Sequence, residues 1–173
     1  MHIVSRIQKT SDIYFTGFLL FTLLLLPVQN ISAENVYLVL NGKSIHTQKK
    51  QGINFNEKNF GAGFQYEMDG ISRHWKPFIN AGGFNDSFNK PSYYVGGGVF
   101  HRFKPLQNFN LDAGVTAFMM TREDVNDNNP YPAVLPMMSV GTNTAALNIT
   151  YIPDIDGVSD ELWFFQLKIK IID

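Results

Sequence analysis

The chain has 173 residues, with 14 basic and 15 acidic side chains and no cysteine. This near-neutral charge shows no excess of basic residues that would indicate a nucleic-acid partner. The absence of cysteine excludes a disulfide scaffold. One folded domain is expected at this length, and its stability must come from packing, hydrogen bonds or surrounding lipid.

The first element in chain order is a predicted signal peptide at residues 1–33. Arg6 and Lys9 precede the apolar run FLLFTLLLLPV, and small residues follow that run. The run is about half as long as the roughly 20 residues of a membrane-spanning helix, and Pro27 ends it. We therefore expect a cleaved signal peptide, with a membrane anchor as the alternative, and residues 34–173 as the exported domain.

Alternation of apolar and polar residues predicts the strands that follow. Four stretches alternate clearly, at about 60–68, 109–119, 144–151 and 163–171. Four weaker stretches complete a set of eight, at about 36–46, 73–84, 92–103 and 132–141. The content of Gly, Phe and Tyr also favours strands.

Eight strands of about ten residues, with long and aromatic apolar faces, match the dimensions of a small outer-membrane barrel. Connections after strands one, three, five and seven are long and polar, whereas the others are short, as in such barrels. The sequence therefore predicts an all-β fold, an eight-stranded antiparallel up-and-down transmembrane β-barrel. A soluble lipocalin-like binder is an alternative.

Three polar residues are predicted to meet at one rim of this barrel. His46 ends the first strand, and Asp86 with Ser87 follows the third. Because all odd-numbered strands run outward, the three side chains reach the same end. Taken alone, Asp86 and Ser87 are ordinary turn residues and His46 an ordinary rim histidine. No histidine spacing suggests a metal site.

The alternate residues of each strand that should face the barrel interior predict a polar floor with a hollow above it. Its charged members lie near the short turns: Glu67, Arg102, Asp112, Lys168 and Lys170. Buried charges persist only when paired, and Arg102 should face Asp112 across a turn. Five glycines are also predicted to face the interior, namely Gly61, Gly63, Gly96, Gly98 and Gly114. Their missing side chains should leave room for one elongated ligand.

Four segments resemble the PagP family of outer-membrane lipid A palmitoyltransferases in order and spacing. They are FNDSFNK at 84–90, DAGVTA at 112–117, VLPMMSVG at 134–141 and LNITYIP at 147–153. The resemblance covers about 59–165 well and the first strand weakly. The chain departs from the family pattern in lacking an N-terminal helix, a terminal aromatic residue and a second proline pair, with Asn41 and Asn59 near the proline positions.

The resemblance implies that the catalytic residues are His46, Asp86 and Ser87. It implies that Gly98 sets the floor of an acyl-chain cavity, and that Pro136 and Pro153 flank a lateral gap that admits phospholipid. Proline cannot donate to a β-ladder, so two prolines near one seam would leave strands six and seven poorly sealed.

The implied reaction moves a palmitoyl chain from a phospholipid donor to lipid A, without a cofactor, on a monomer in the Gram-negative outer membrane. Such a transfer needs a base for the acceptor hydroxyl and donors for the developing oxyanion. His46 is the candidate base, because histidine titrates near neutral pH. Asp86 would orient it or stabilise its cation, and Ser87 would polarise the ester or act as nucleophile. The alternative is a non-enzymatic structural or adhesion barrel of the OmpX type, in which the glycines only ease curvature.

Overall fold

The computed structural model describes residues 36–47, 55–68, 74–103, 108–155 and 159–171. These residues form eight antiparallel strands that close into one barrel, in which every strand pairs with its sequence neighbours and the first pairs with the last. The predicted all-β, eight-stranded, up-and-down barrel is confirmed. The predicted signal peptide at 1–33 lies outside the described residues.

The strands begin and end at most two residues from the predicted positions. They are β1 Val36–His46, β2 Lys58–Glu67, β3 Trp75–Asn85, β4 Pro91–Arg102, β5 Asn110–Thr121, β6 Tyr131–Gly141, β7 Ala145–Ile152 and β8 Leu162–Lys170. We call the end at which β1, β3, β5 and β7 finish the loop end, and the opposite end the turn end. The connection after β3 has only five residues and is shorter than the one after β2, so the predicted difference in loop length is not uniform.

The described residues include one short 3₁₀ turn, Asn126–Asn128, and no helix among them has the length and apolar character needed to cross a membrane.

The outer surface of the barrel carries an apolar belt. Exposed apolar side chains on outward positions include Phe60, Phe64, Ile79, Val95, Val115 and Val134. Trp75 lies at the turn end beside His101, and Trp163 lies toward the loop end against Tyr151, with ring centroids 4.9 Å apart in both pairs. An apolar band with aromatic residues at both edges suits contact with lipid.

Paired charges occupy the turn-end part of the interior, as predicted. Arg102 and Asp112 are register partners on β4 and β5 and form two hydrogen bonds of 2.8 Å. Farther around the barrel, the ammonium group of Lys168 donates to Oε1 of Glu67, and Nε2 of Gln65 donates to the same oxygen at 3.0 Å. Four of the five predicted charges are therefore paired in this layer, whereas Lys170, which is half-buried, forms no ion pair with the described residues.

Two aromatic rings, those of Phe78 and Phe100, lie above these charges together with the side chain of Met137. We call these three residues the aromatic layer. Phe78 and Phe100 stack with ring centroids 4.7 Å apart and form a buried cluster with Met137. The Lys168 ammonium nitrogen lies 5.8 Å from the centroid of Phe100. The rings therefore separate the charged layer from the interior space above it.

Candidate active site

A cavity of about 300 Å³ lies in the loop-end part of the barrel. Much of its wall is apolar and includes Phe84, Phe118, Leu135, Met137 and Phe164. Met137 belongs to the aromatic layer at the bottom, whereas Asp86 and Ser87 line the mouth. An eight-stranded barrel is either filled by its own side chains or holds one small ligand, and this cavity corresponds to the second case.

The five inward glycines do not supply the space for this cavity. None of Gly61, Gly63, Gly96, Gly98 and Gly114 lines it. A Cβ atom at Gly63 would lie 2.9 Å from the hydroxyl of Tyr94, and one at Gly98 would lie 2.6 Å from Cζ of Phe78, so aromatic rings occupy the space above both. At all five glycines, the atom nearest to such a Cβ is a backbone carbonyl oxygen of a neighbouring strand. The glycines therefore allow close approach of rings and strands, and the hollow lies against a different part of the wall.

The cavity opens sideways between β6 and β7. Five residue pairs, from Met137–Thr150 to Gly141–Ala146, join these strands near the turn end. Within the described chain, residues 131–136 of β6 have no partner on β7, although β5 pairs along them to Tyr131. Val134 faces outward with 69% of its surface exposed and also lines the cavity. The interior is therefore continuous with the outer surface at this seam.

Pro136 and Pro153 lie on the two sides of this opening. Pro136 is the first residue of β6 beyond the last pair with β7, and Pro153 directly follows the end of β7 and lines the cavity. Neither has an N–H group to donate to a neighbouring strand. Their positions give a physical reason why the ladder between β6 and β7 stops where it does.

A bulge in β1 turns His46 toward the interior. Val39 and Asn41 face inward, and the register with both neighbouring strands shifts at Gly42. A bulge adds one residue and reverses the alternation of side chains beyond it. His46 is consequently buried, whereas Ile45 is exposed.

The imidazole ring of His46 packs against the first loop. It stacks on Phe55 with ring centroids 4.0 Å apart and an interplanar angle of 5°, and Phe55 in turn meets the edge of Phe88. Nδ1 of His46 is buried and forms no hydrogen bond within the described residues. The histidine lies at the predicted end of β1, but it does not line the cavity.

Asp86 organises the loop that carries Ser87. Its Oδ1 accepts the backbone N–H groups of Phe88 and Lys90, each at 2.9 Å, and its Oδ2 accepts the hydroxyl of Ser92 at 3.2 Å. These are the bonds of a turn-forming aspartate. The carboxylate is therefore engaged within the loop and holds Ser87 at the mouth of the cavity.

The first loop contacts both parts of the candidate site. Ser87 accepts the backbone N–H of Asn56 through its carbonyl oxygen at 2.7 Å, and Asn56 directly follows Phe55, the ring that covers His46. No hydrogen bond between described residues joins His46 to Asp86 or Ser87. The structure thus brings Asp86 and Ser87 together at the cavity mouth, with His46 on a neighbouring part of the rim.

Three further residues that line the cavity, which were not predicted to do so, each carry a buried polar atom. Oγ of Ser44, Oδ1 of Asn59 and Oδ1 of Asn80 have no hydrogen-bond partner among the described residues, and all three residues line the cavity. Gly42, a glycine inside a strand, was the available signal for Ser44, because such a glycine often marks a bulge. In the described ranges, no group of three His, Asp or Glu side chains lies close enough to hold a metal ion.

In the part of the wall that lacks the second proline pair, side-chain amides of β1 and β2 donate hydrogen bonds to β3. Nδ2 of Asn41 donates to the carbonyl oxygen of Gly83 at 3.1 Å, and Nδ2 of Asn59 donates to that of Asn85 at 2.9 Å. β1 and β2 also remain paired along this side. The seam between β1 and β2 is therefore sealed, in contrast to the seam between β6 and β7.

Residues 27–167 match the family described as "Antimicrobial peptide resistance and lipid A acylation protein PagP". The chain is 41% identical over 107 residues to a lipid A acyltransferase PagP of Enterobacter lignolyticus, covering 58% of this chain and 52% of that protein. It is 35% identical over 107 residues to a lipid A palmitoyltransferase PagP of Escherichia coli O6:K15:H31, covering 61% of this chain and 56% of that protein. The chain thus spans about half the length of these relatives.

Among solved structures, the backbone of the Yersinia pestis outer membrane protein Ail in a phospholipid bilayer nanodisc is similar at a TM-score of 0.44 and 10% identity, over 79% of this chain and 99% of that chain.

Proposed function

The chain belongs to the PagP family of lipid A acylation proteins, and we propose that it transfers a palmitoyl chain from a phospholipid to lipid A in the outer membrane. The observation that carries this proposal is the cavity that opens sideways between β6 and β7. Such a cavity can receive one apolar chain directly from the lipid beside the barrel. The relatives named lipid A acyltransferase and lipid A palmitoyltransferase support the type of reaction.

The donor phospholipid would reach the cavity through the gap flanked by Pro136 and Pro153. Its headgroup would remain near the loop end, and its acyl chain would lie along the apolar wall. Gly98 would contribute indirectly, because its missing side chain leaves room for the Phe78 ring, which packs with Met137 of the cavity wall. The ester bond would then be held near the mouth, where Asp86 and Ser87 lie.

The transfer itself is proposed to use His46 as the base. His46 takes the proton from a lipid A hydroxyl, whose oxygen attacks the ester carbonyl, and returns that proton to the lysophospholipid oxygen as it leaves. Ser87 either donates a hydrogen bond to the ester carbonyl or attacks it after giving its proton to His46. In the second case, lysophospholipid leaves with that proton, and the lipid A hydroxyl then takes the acyl group from Ser87. Asp86 holds Ser87 in place, and its charge stabilises the imidazolium. Catalytic hydrogen bonds often form only when substrate binds, which is consistent with His46 packing on Phe55 in the free protein.

We also propose that the protein works as a monomer. Each of the eight strands pairs with both neighbours around the closed barrel, so the described sheet has no end strand to which a second chain could add. The outward apolar belt is suited to lipid.

The catalytic assignment is tested with His46→Asn and Ser87→Ala. Loss of a positioned base or nucleophile should reduce lipid A palmitoylation by about 100-fold or more, measured by mass spectrometry of lipid A from cells that produce each variant. His74→Asn, at the turn end, is the matched control and should retain full transfer. Wild-type acylation by folded barrels of both rim variants would rule out the proposed active site.

A further inference from the structure

We propose that Lys43 and Lys58 form a site on the outer wall of the barrel that binds a phosphate monoester of the lipid A acceptor. The choice of lipid A as the ligand rests on the proposed function. Binding of a phosphorylated lipid can be measured without any transfer reaction, so the site can be tested by itself.

The two lysines lie opposite each other on neighbouring strands. Lys43 on β1 and Lys58 on β2 are register partners, and both residues are exposed. The bulge at Gly42 produces this arrangement, because without it the alternation set by Val39 and Asn41 would turn Lys43 inward. Directly opposed residues of an antiparallel pair have Cβ atoms about 4.5–5.5 Å apart. One phosphate group can therefore contact both ammonium groups.

Neither lysine is neutralised by a carboxylate of the described chain. The other two basic side chains described toward the loop end each form an ion pair, Lys90 with Glu123 and Arg122 with Asp124. Lys43 and Lys58 have no such partner among the described residues. Residues 43–58 contain four lysines and one acidic residue, although the whole chain has 14 basic and 15 acidic residues. Like charges directly opposite each other destabilise a strand pair, and an anion held between them would remove that repulsion.

The position of the pair on the wall indicates a lipid phosphate. Phe60 lies two residues from Lys58 on the same face of β2, is 67% exposed and belongs to the apolar belt. On β1, Lys43 lies between the exposed apolar side chains of Leu40 and Ile45. Lysine side chains at the border of an apolar belt extend toward the lipid headgroups. The anionic groups available at that level are the phosphates of lipids.

Charge and location favour lipid A over the phospholipid donor. A phosphate monoester carries about 1.5 to 2 negative charges at pH 7, which matches two ammonium groups, whereas the phosphodiester of a phospholipid carries about one. Lipid A presents such monoesters on its sugars. The lysines also lie at the seam between β1 and β2, close to the end of β1 where His46 lies, whereas the donor is proposed to enter between β6 and β7. Lipid A held by its phosphate would bring its sugar hydroxyls toward the proposed base.

The site is tested with Lys43→Gln, Lys58→Gln and the double variant. Each lysine near the headgroups contributes about fivefold to the binding of an anionic lipid, so affinity for lipid A should fall about fivefold in each single variant and about 25-fold in the double variant. Lys43→Arg and Lys58→Arg keep the charge and should retain most of the affinity. Lys90→Gln removes an exposed lysine of the same end that already has a partner, and as the matched control it should leave affinity for lipid A unchanged.

Binding is measured by thermal unfolding of barrels in phosphatidylcholine nanodiscs, because a ligand that binds the folded state raises the unfolding temperature. The added ligands are lipid A, lipid A stripped of its phosphates, phosphatidylglycerol and inorganic phosphate. Only intact lipid A should distinguish the wild type from the glutamine variants. Without a ligand, these variants should unfold at or slightly above the wild-type temperature, because the repulsion between the lysines is removed. A purely structural role of the lysines would lower that temperature instead.

A transfer assay supplies a second readout. The KM for lipid A should rise about fivefold with each glutamine substitution, whereas kcat and the KM for the phospholipid should stay unchanged. This separation is expected because the lysines hold the acceptor and take no part in the proposed proton transfers.

Each outcome decides between different assignments. Equal affinity of the wild type and the double variant for intact lipid A would overturn the site. Lost binding of phosphatidylglycerol with lipid A binding retained would assign the lysines to the donor and overturn the choice of lipid A, as would an equal stabilisation by inorganic phosphate alone. Lost lipid A binding in the variants, together with no acylation of lipid A by the wild type, would support the site and overturn the proposed function.

Discussion

Asp86 shows how a turn-forming residue and a functional residue can be the same side chain. Its carboxylate accepts two backbone N–H groups and the Ser92 hydroxyl, so the local geometry is that of a loop-stabilising aspartate. The same bonds hold Ser87 at the mouth of the cavity. At this site, the structural role of Asp86 is a condition for the proposed role of its neighbour.

Two substitutions separate the shape of Asp86 from its charge. Asp86→Ala removes the acceptor for three donors and should lower the free energy of unfolding by about 1–3 kcal/mol. Asp86→Asn keeps Oδ1 as an acceptor and should cost clearly less. Denaturant unfolding of barrels in lipid measures both, with Asp154→Ala, an exposed carboxylate of another loop, as the control. Equal costs for the Ala and Asn variants would contradict the loop-building role.

At the scale of strands, the unpaired part of β6 is the feature with the clearest consequence for function. Among the described residues, its residues 131–136 have no partner on β7, whereas β1 and β2 stay paired. The Asn41 and Asn59 amides add hydrogen bonds from these two strands to β3. The two seams are therefore not equivalent. We expect lipid to pass between β6 and β7.

A covalent bridge across this seam should block the reaction. Cysteines at Leu135 and Ile152 would face each other if the ladder continued, and the natural chain has no cysteine to interfere. Joining them with a bifunctional thiol reagent should abolish lipid A acylation, and the cysteine variant without reagent should remain active. A pair at Val140 and Leu147, which are already register partners, is the control and should remain active when joined. Full activity of the bridged Leu135–Ile152 pair would exclude lipid passage at this seam.

The strands were predictable because the outer face of the barrel is apolar, which imposes a two-residue period along most of each strand. The inward orientation of the His46 side chain could not be predicted, because the bulge at Gly42 reverses the two-residue period within β1. The glycines predicted that space would exist, but they could not show that the rings of Tyr94 and Phe78 fill it. Such details depend on which side chains from distant strands meet inside the barrel, and alternation within one strand contains no information about that.

The described barrel is arranged as layers along its axis. Paired charges close the turn end, the aromatic layer lies above them, and the cavity extends from there to the loop end. This order has a physical reason: the aromatic rings keep an apolar ligand away from ions whose burial is tolerable only while they are paired. The depth of the cavity and the stability of the barrel therefore depend on adjacent layers.

The Lys168–Glu67 pair should accordingly control the stability of the barrel. Lys168→Met leaves the Glu67 carboxylate buried without its counterion and should lower the free energy of unfolding by about 3–5 kcal/mol. Adding Glu67→Gln removes that charge and keeps an acceptor for the Gln65 amide, so the double variant should recover most of the loss. Denaturant unfolding in lipid measures each corner of the cycle, with Lys170→Met at the end of the same strand as the control. If the double variant were as unstable as Lys168→Met alone, the cost would arise from lost packing against Tyr37 and Phe100, not from an unpaired charge.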